Sequence, residues 1–377
     1  MPARGRMSTA LASLAFTLAI TPALAARVGN YSLTHRINST TFLQEFEFFT
    51  AGDPTHGYVQ FVSQSEAAQL RMLQLDAGSI YMSVDKDGNY DPNGPGRKSI
   101  RVQSRKVFNG GVFVIDLDHI PSGCGTWPAF WSVGPQWPDN GEIDILEGVH
   151  RNVQDISTLH TREKCSMQTV DTALFTGSWS TGFGGQNATD CYVKSTIEYA
   201  NQGCGIISDD SASFGEAFNR RGGGTVATVW DDEGIRMYGW RRGAEPADVR
   251  KAATGKSKGG EVTIDPDGEG WGMPYALFQF GDNCDPSHFA NHQLVFDLTL
   301  CGDWAGSTFS SVCSDIPSAS CEAYIADHRN VQDAFWSVRS VDVYEIGGLT
   351  LARPAMGFQG KGCNDTDYGW GTHHATR

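Results

Sequence analysis

The sequence predicts an all-β chain folded as a β-sandwich or jelly roll, on three observations. Short β-type runs bounded by Gly, Pro, Asn and Asp recur along it, glycine is abundant at 44 of 377 residues, and no helical periodicity is sustained beyond two turns after the amino-terminal segment. In chain order the clearest runs are Gly57–Val62, Gly111–Asp116, Thr225–Trp230 and Leu294–Leu300, each rich in β-branched or aromatic residues. Asp85–Gly96 and Glu245–Gly260 lack such runs and read as long loops, which on a sandwich are where binding sites tend to sit. Strands that alternate with helices are missing, which argues against a βαβ fold, and no internal repeat is present.

A hydrophobic content of 40% with 11% aromatic residues marks a globular chain able to bury a full core. Sandwiches commonly exceed about 200 residues as one domain, so length gives no reason to divide the chain. With 29 Lys+Arg against 43 Asp+Glu, the formal net charge is −14 at pH 7. Nucleic-acid affinity comes from clustered cations releasing counterions, and this sequence has no basic run. A neutral or cationic partner fits better.

Residues 1–25 have the layout of a secretory signal peptide: a cationic head with Arg4 and Arg6, an apolar stretch Leu11–Ile20, then Ala23-Leu24-Ala25. The alternative is a buried amino-terminal helix. The apolar stretch is shorter than the roughly 20 residues that span a bilayer. The expectation is therefore a secreted, extracellular monomer without membrane association. One domain over 26–348 and a loosely ordered tail over 349–377 complete the predicted organisation.

All nine cysteines, Cys124, Cys165, Cys191, Cys204, Cys284, Cys301, Cys313, Cys321 and Cys363, follow that leader, so disulfides are expected, with at least one cysteine left over. No C-x-x-C pair is present, which argues against structural zinc or a thioredoxin-like site. Sequons begin at Asn30, Asn38, Asn187 and Asn364, as suits a secreted glycoprotein. Two short matches are decoys. Gly255-Lys-Ser-Lys-Gly259 imitates a nucleophile elbow and the end of a phosphate loop, but it lacks the strand before and the helix after it, and Arg250 stands where the phosphate pattern needs its first glycine.

The segment that carries chemistry is Trp137-Pro-Asp-Asn-Gly-Glu-Ile-Asp-Ile-Leu-Glu-Gly148, preceded by Gly123-Cys-Gly-Thr-Trp-Pro-Ala-Phe-Trp131. In a strand, residues i and i+2 share a face, so Glu142 and Asp144 point one way and Ile143 and Ile145 the other. Plain alternation puts Leu146 beside the acids, and a one-residue bulge near Ile145 and Leu146 would bring Glu147 back to them. Clustered carboxylates repel and raise one another's pKa values, a cost that makes sense where two carboxyl groups act as nucleophile and general acid/base. Flat strand geometry separates residues 142 and 147 by about 13 Å at Cα, so their side chains must lean together. From these residues alone three readings stand: a catalytic acid cluster, an acidic edge strand, or a calcium site, which would need 6–8 oxygen ligands. The upstream tryptophans and the intervening apolar residues favour the first.

Glu142-Ile-Asp-Ile-Leu-Glu147 resembles the bulged E-x-D-x-x-E signature of glycoside hydrolase family 16, and other segments resemble its fungal laminarinase-type endo-β-1,3(4)-glucanases. These are Asp53–Tyr58, Gly123–Trp131, Thr158–Thr161, Phe214–Asn219 and Leu300–Gly306, collinear between about Tyr31 and Ile346. The resemblance implies a concanavalin-like jelly roll with a concave substrate cleft and net retention of anomeric configuration. It also implies Glu142 as nucleophile, Asp144 as assisting carboxylate and Glu147 as general acid/base. His160, otherwise readable as a structural histidine, would join the site; Trp131 and Trp137 would flank the cleaved bond. Arg101, which could equally be a surface ion-pair residue, would donate to sugar hydroxyls, and Trp304 would bind substrate.

The function expected is that of a secreted endo-β-glucanase cleaving internal bonds of β-1,3-glucan or mixed β-1,3/1,4-glucan by double displacement, with no cofactor, no metal, and β-glucan as its partner. The alternatives are a cell-wall β-glucan transglycosylase on the same site and a non-catalytic glucan-binding lectin, which would have no need of closely placed glutamates.

Overall fold

The computed structural model describes residues 31–346 apart from 76–77, 256–261 and 269. The expected leader over 1–25, the tail over 349–377, Cys363, the sequons at Asn30 and Asn364, and most of the Gly255–Gly259 decoy lie outside the described residues.

Two antiparallel sheets stack face to face. Among the described residues one has eight strands, in spatial order Ser178–Trp179, Cys204–Ile207, Ile156–His160, Glu142–Glu147, Thr126–Val133, Gln293–Leu300, Arg101–Ser104 and Phe46–Phe48. The other has nine, centred on the long strand Phe335–Ile346 between Tyr31–Ile37 and Gly111–His119, followed by Gly224–Trp230, Gly234–Arg241 and Ala276–Gln279. Each of the four strand runs legible in the sequence coincides with or overlaps a strand: Val59–Phe61, Gly111–His119, Gly224–Trp230 and Gln293–Leu300. The expected all-β jelly-roll class is what the chain adopts.

Alternation builds the interior. From the eight-stranded sheet Phe130, Ile143, Leu159 and Phe296 point inward, meeting Phe113, Ile115, Met237 and Val343 of the other sheet in one continuous core. Phe130 and Phe296 stack at 4.4 Å on neighbouring strands, the first of which adjoins the acid strand. The opposite face of Thr126–Val133 and its neighbours is thereby turned outward, free to form a site. On the outer face of the nine-stranded sheet, Val112, Val114, Ala227 and Val229 are covered by Val249, Ala252, Ile264 and Trp271.

That covering corrects one expectation. Glu245–Gly260 was to be a loop, yet it contains the helix Ala247–Ala253, the longest among the described residues, with Val249 and Ala252 buried at an i, i+3 spacing too short to register as periodicity. Asp85–Gly96 does lack regular structure, but it is pinned from beneath. The fully buried Arg97 guanidinium donates to the carbonyls of Asp85, Gly88, Ile325 and Ala326.

Four disulfides join eight of the cysteines: Cys124–Cys313, Cys165–Cys284, Cys191–Cys204 and Cys301–Cys321. Two of them fasten the helical segment Ser307–Ile325 to the ends of Thr126–Val133 and Gln293–Leu300, the strands beside and beyond the acid strand. Asn187 is exposed, as a glycosylation acceptor would be. No helix among the described residues is long and apolar enough to cross a membrane.

Candidate active site

The acid strand Glu142–Glu147 runs between Thr126–Val133 and Ile156–His160. Its register against the first is Glu142 to Val133, Ile143 to Ser132 and Asp144 to Trp131, then shifts so that Leu146 faces Phe130 and Glu147 faces Ala129. Ile145 is thus the extra residue of a β-bulge. Ile143, Ile145 and Leu146 are all buried in the core, while Glu142, Asp144 and Glu147 line one cleft on the other face. A regular strand would have turned Glu147 inward and Leu146 out.

The cleft encloses about 620 Å³, its open mouth included, and its floor is a continuous patch of the sheet. Trp127, Ala129, Trp131 and Val133 come from one strand, Asp297 and Thr299 from the next, and Arg101 from the one beyond. Pro54 and Thr55 enter from a loop whose position depends on Gly57: a Cβ there would lie 2.3 Å from the Asp53 carboxylate and 2.6 Å from the Thr299 methyl. Asp53 holds that loop by accepting from the Thr55 amide and the Thr299 hydroxyl.

Burial dominates the electrostatics. The Glu142 carboxyl is pushed up to about 8 by desolvation and by the neighbouring Asp144 charge, with His160 and the Trp137 indole pulling the other way. Desolvation also pushes Asp144 up to about 8, against a hydrogen bond shared with Glu142, and the nearby Asp297 and Asp155 charges add to the rise. Glu147 is raised well above the ordinary glutamate range by desolvation and Asp144, opposed by Trp127, whose Nε1 donates to Glu147 Oε1 at 2.8 Å. Burial and neighbouring acid charges thus raise all three carboxyls, while Trp137 and His160 act against the rise at Glu142 and Trp127 acts against it at Glu147.

His160 Nε2 lies 3.2 Å from Asp144 Oδ2, behind the lining of the cleft. Trp131 and Trp137 both line the cleft. Arg101 is 6% exposed, its guanidinium between the rings of Phe49 at 4.4 Å and Trp131 at 5.1 Å, so it is a cleft residue and not a surface ion-pair residue. Trp304, half-buried, stands edge-on to Trp127, 5.7 Å between ring centres, one ring removed from the residues around the acids. Sequence reasoning passed over Trp127 and Asp297 as individual site residues. Trp127 shares a face with Trp131 by the i, i+4 rule of a strand and could have been found that way, whereas Asp297, pushed up to about 7 by burial and restrained by Arg101 and Trp131, shows itself only through register.

Glu142, Asp144 and His160 offer three donor atoms within 4.8 Å of one another. Three such donors fall short of the oxygen shell a calcium ion takes. Two of the three already share a hydrogen bond, as a carboxylate pair holding a proton would.

Comparison with known proteins shows the family. Residues 46–344 match the family model described as the XgeA-like, catalytic domain of glycoside hydrolase family 16. A probable glycosidase of Schizosaccharomyces pombe is 37% identical over 317 residues, covering 84% of this chain and 69% of its own length. The endo-1,3(4)-β-glucanase xgeA of Emericella nidulans is 34% identical over 346 residues, covering 89% of this chain, which spans only 51% of that protein's length. Among solved structures, laminarinase 16A of Phanerochaete chrysosporium, with β-glucans in both donor and acceptor sites, superposes with a TM-score of 0.74 at 34% identity, over 84% of this chain and all of that one. An elongating family 16 β-1,3-glucosyltransferase superposes with a TM-score of 0.73 at 32% identity, over 83% and 99%. With the matched region holding both sheets' central strands and the whole acid cluster, the chain belongs to glycoside hydrolase family 16, within its XgeA-like group.

Proposed function

We propose that this protein is a secreted, retaining endo-β-1,3(4)-glucanase whose catalytic groups are Glu142, Asp144 and Glu147. The observation that carries the reading is the bulge at Ile145, which places two glutamates on one face of a strand in separate hydrogen-bonding environments. Glu147, raised well above the ordinary glutamate range and held by Trp127, is the proton donor to the departing glycosidic oxygen. Glu142, whose ionised form Trp137 and His160 favour, attacks the anomeric carbon to give a glycosyl ester. Glu147, now a carboxylate, takes a proton from water as that water displaces Glu142, so two inversions leave the configuration retained. Asp144 shares a proton with Glu142 and, by releasing it to neither solvent nor sugar, limits the charge that accumulates between the two.

The substrate class rests on the relatives' activities and on the cleft itself. Indole faces at Trp131 and Trp137 suit the apolar faces of glucose rings, and Arg101 offers a fixed donor fork to hydroxyls. Four disulfides support export to an oxidising compartment. The test is reducing-end release from laminarin, mixed-linkage barley glucan and cellulose with Glu142→Gln as blank, while proton NMR follows the first product anomer. Activity on the first two glucans with the β-anomer appearing first supports the reading; the α-anomer first, or equal activity in the blank, overturns it.

A transglycosylase reading has a specific observation in its favour, the structural likeness to an elongating glucosyltransferase. It differs only in the acceptor, a sugar hydroxyl replacing water. Products longer than the substrate when laminari-oligosaccharides are added would select it.

A further inference from the structure

The bulge that presents Glu147 leaves a gap in the sheet. Against Ile156–His160 the acid strand pairs Glu142 with His160, Ile143 with Leu159 and Asp144 with Thr158, and there the ladder stops. Unbroken, it would continue to Ile145 opposite Ser157 and Glu147 opposite Asp155. Backbone bonding is lost at these positions, yet the groups are buried and must be satisfied. The side chains of the same two partners do it. Asp155 Oδ1 accepts from the Glu147 amide at 2.9 Å, and the Ser157 hydroxyl lies 3.2 Å from the Ile145 carbonyl it donates to. Tyr275 completes the arrangement: its hydroxyl donates to Asp155 Oδ2 at 2.8 Å and sits 2.9 Å from Ser157 Oγ.

Asp155 is 1% exposed and Ser157 fully buried. Asp155 and Tyr275 do not line the substrate cleft; they line a separate cavity of about 780 Å³, its open mouth included, with Phe218 and Trp240. A buried acid without a cation beside it is an expensive way to fill space. Here it accepts from the Glu147 amide and the Tyr275 hydroxyl, while the Ser157 hydroxyl that donates to the Ile145 carbonyl lies 3.4 Å from its other oxygen, so the acid is anchored at the bulge.

We propose that Asp155, with Tyr275 and Ser157, is a positioning clamp that replaces the missing ladder and sets where the Glu147 carboxyl stands relative to the glycosidic oxygen. None of the three touches substrate. Their effect passes through the backbone of Ile145 and Glu147, and the side chain of Glu147 is then fixed at its far end by Trp127. This rests on the reading of Glu147 as general acid/base, and the experiment separates the two.

The experiment compares laminarin with 2,4-dinitrophenyl β-laminaribioside, whose leaving group departs without a proton. Glu147→Ala serves as the reference: it should lose laminarin hydrolysis while keeping the burst of dinitrophenolate, and should form the glycosyl azide when azide is supplied. Asp155→Ala should lower kcat on laminarin about ten- to a hundredfold with KM changed less than twofold, and leave the burst rate unchanged. Asp155→Asn retains an oxygen acceptor for the Glu147 amide and should recover to within about threefold of the parent. Tyr275→Phe preserves packing and should shift the laminarin-to-burst ratio in the same direction, which decides the matter if Asp155→Ala fails to fold. Equal losses on both substrates in Asp155→Ala or Tyr275→Phe, or no loss on either, would overturn the clamp. Loss of the burst in Glu147→Ala would instead overturn the role assigned to Glu147.

Discussion

Trp127 and Glu147 sit diagonally across adjacent strands, two residues out of direct register, and the indole Nε1 donates to the carboxyl Oε1 at 2.8 Å. A diagonal pair of this kind is within reach only of long side chains, and an indole is one of the few that is both long and rigid. Trp304 packs edge-on against the same ring, so the bond is held from behind.

Trp127→Phe should therefore keep the packing and remove the donor. The indole favours ionised Glu147, so its loss raises that pKa, and the alkaline limb of kcat/KM against pH should move upward. A fall of about tenfold in kcat is expected, in line with a lost hydrogen bond to a charged group. A pH–rate profile of the variant on laminarin checks both.

Glu142→Gln should lose at least about a thousandfold in kcat, since it removes the attacking oxygen of the first step. It should also be more stable than the parent, and more so at higher pH. A carboxyl raised from 4.5 to about 8 binds its proton more tightly in the folded chain, so its stabilising contribution is complete below the unfolded value and lost as pH rises towards 8. The amide never has to be deprotonated. After discounting for solvent at a half-buried group, an advantage of about 1–2 kcal/mol at pH 8 is expected, vanishing near pH 4. Thermal unfolding at the two pH values measures it.

Arg101→Lys should raise KM on laminarin about five- to tenfold with little change in kcat. The planar guanidinium fits between the Phe49 and Trp131 rings, a geometry an ammonium cannot reproduce. Steady-state kinetics separate the two constants.

Replacing Cys301 and Cys321 together by Ser opens a loop of 20 residues and should cost about 2–4 kcal/mol of stability. The loop carries Trp304, so the Trp127 support should loosen as well. Denaturant unfolding, together with kcat in the same variant, follows the two effects.

The sequence by itself determined the class of fold, because alternation and turn residues are local signals, and it determined the acid strand for the same reason. Even the bulge was legible, since Glu142, Asp144 and Glu147 can share a face only if one residue among Ile145 and Leu146 is surplus. Trp131, Trp137 and Arg101 were reached through resemblance, and they do line the cleft. The short helix Ala247–Ala253 escaped notice because fewer than two turns give no period to detect. The tertiary structure alone decided what surrounds the acids. Asp297 enters through register with Ala129, and Tyr275 reaches Asp155 across 120 positions of chain. A hydrogen bond of that span leaves no spacing to read in the sequence; it exists only once two sheets have packed and a broken ladder has buried groups that must find partners.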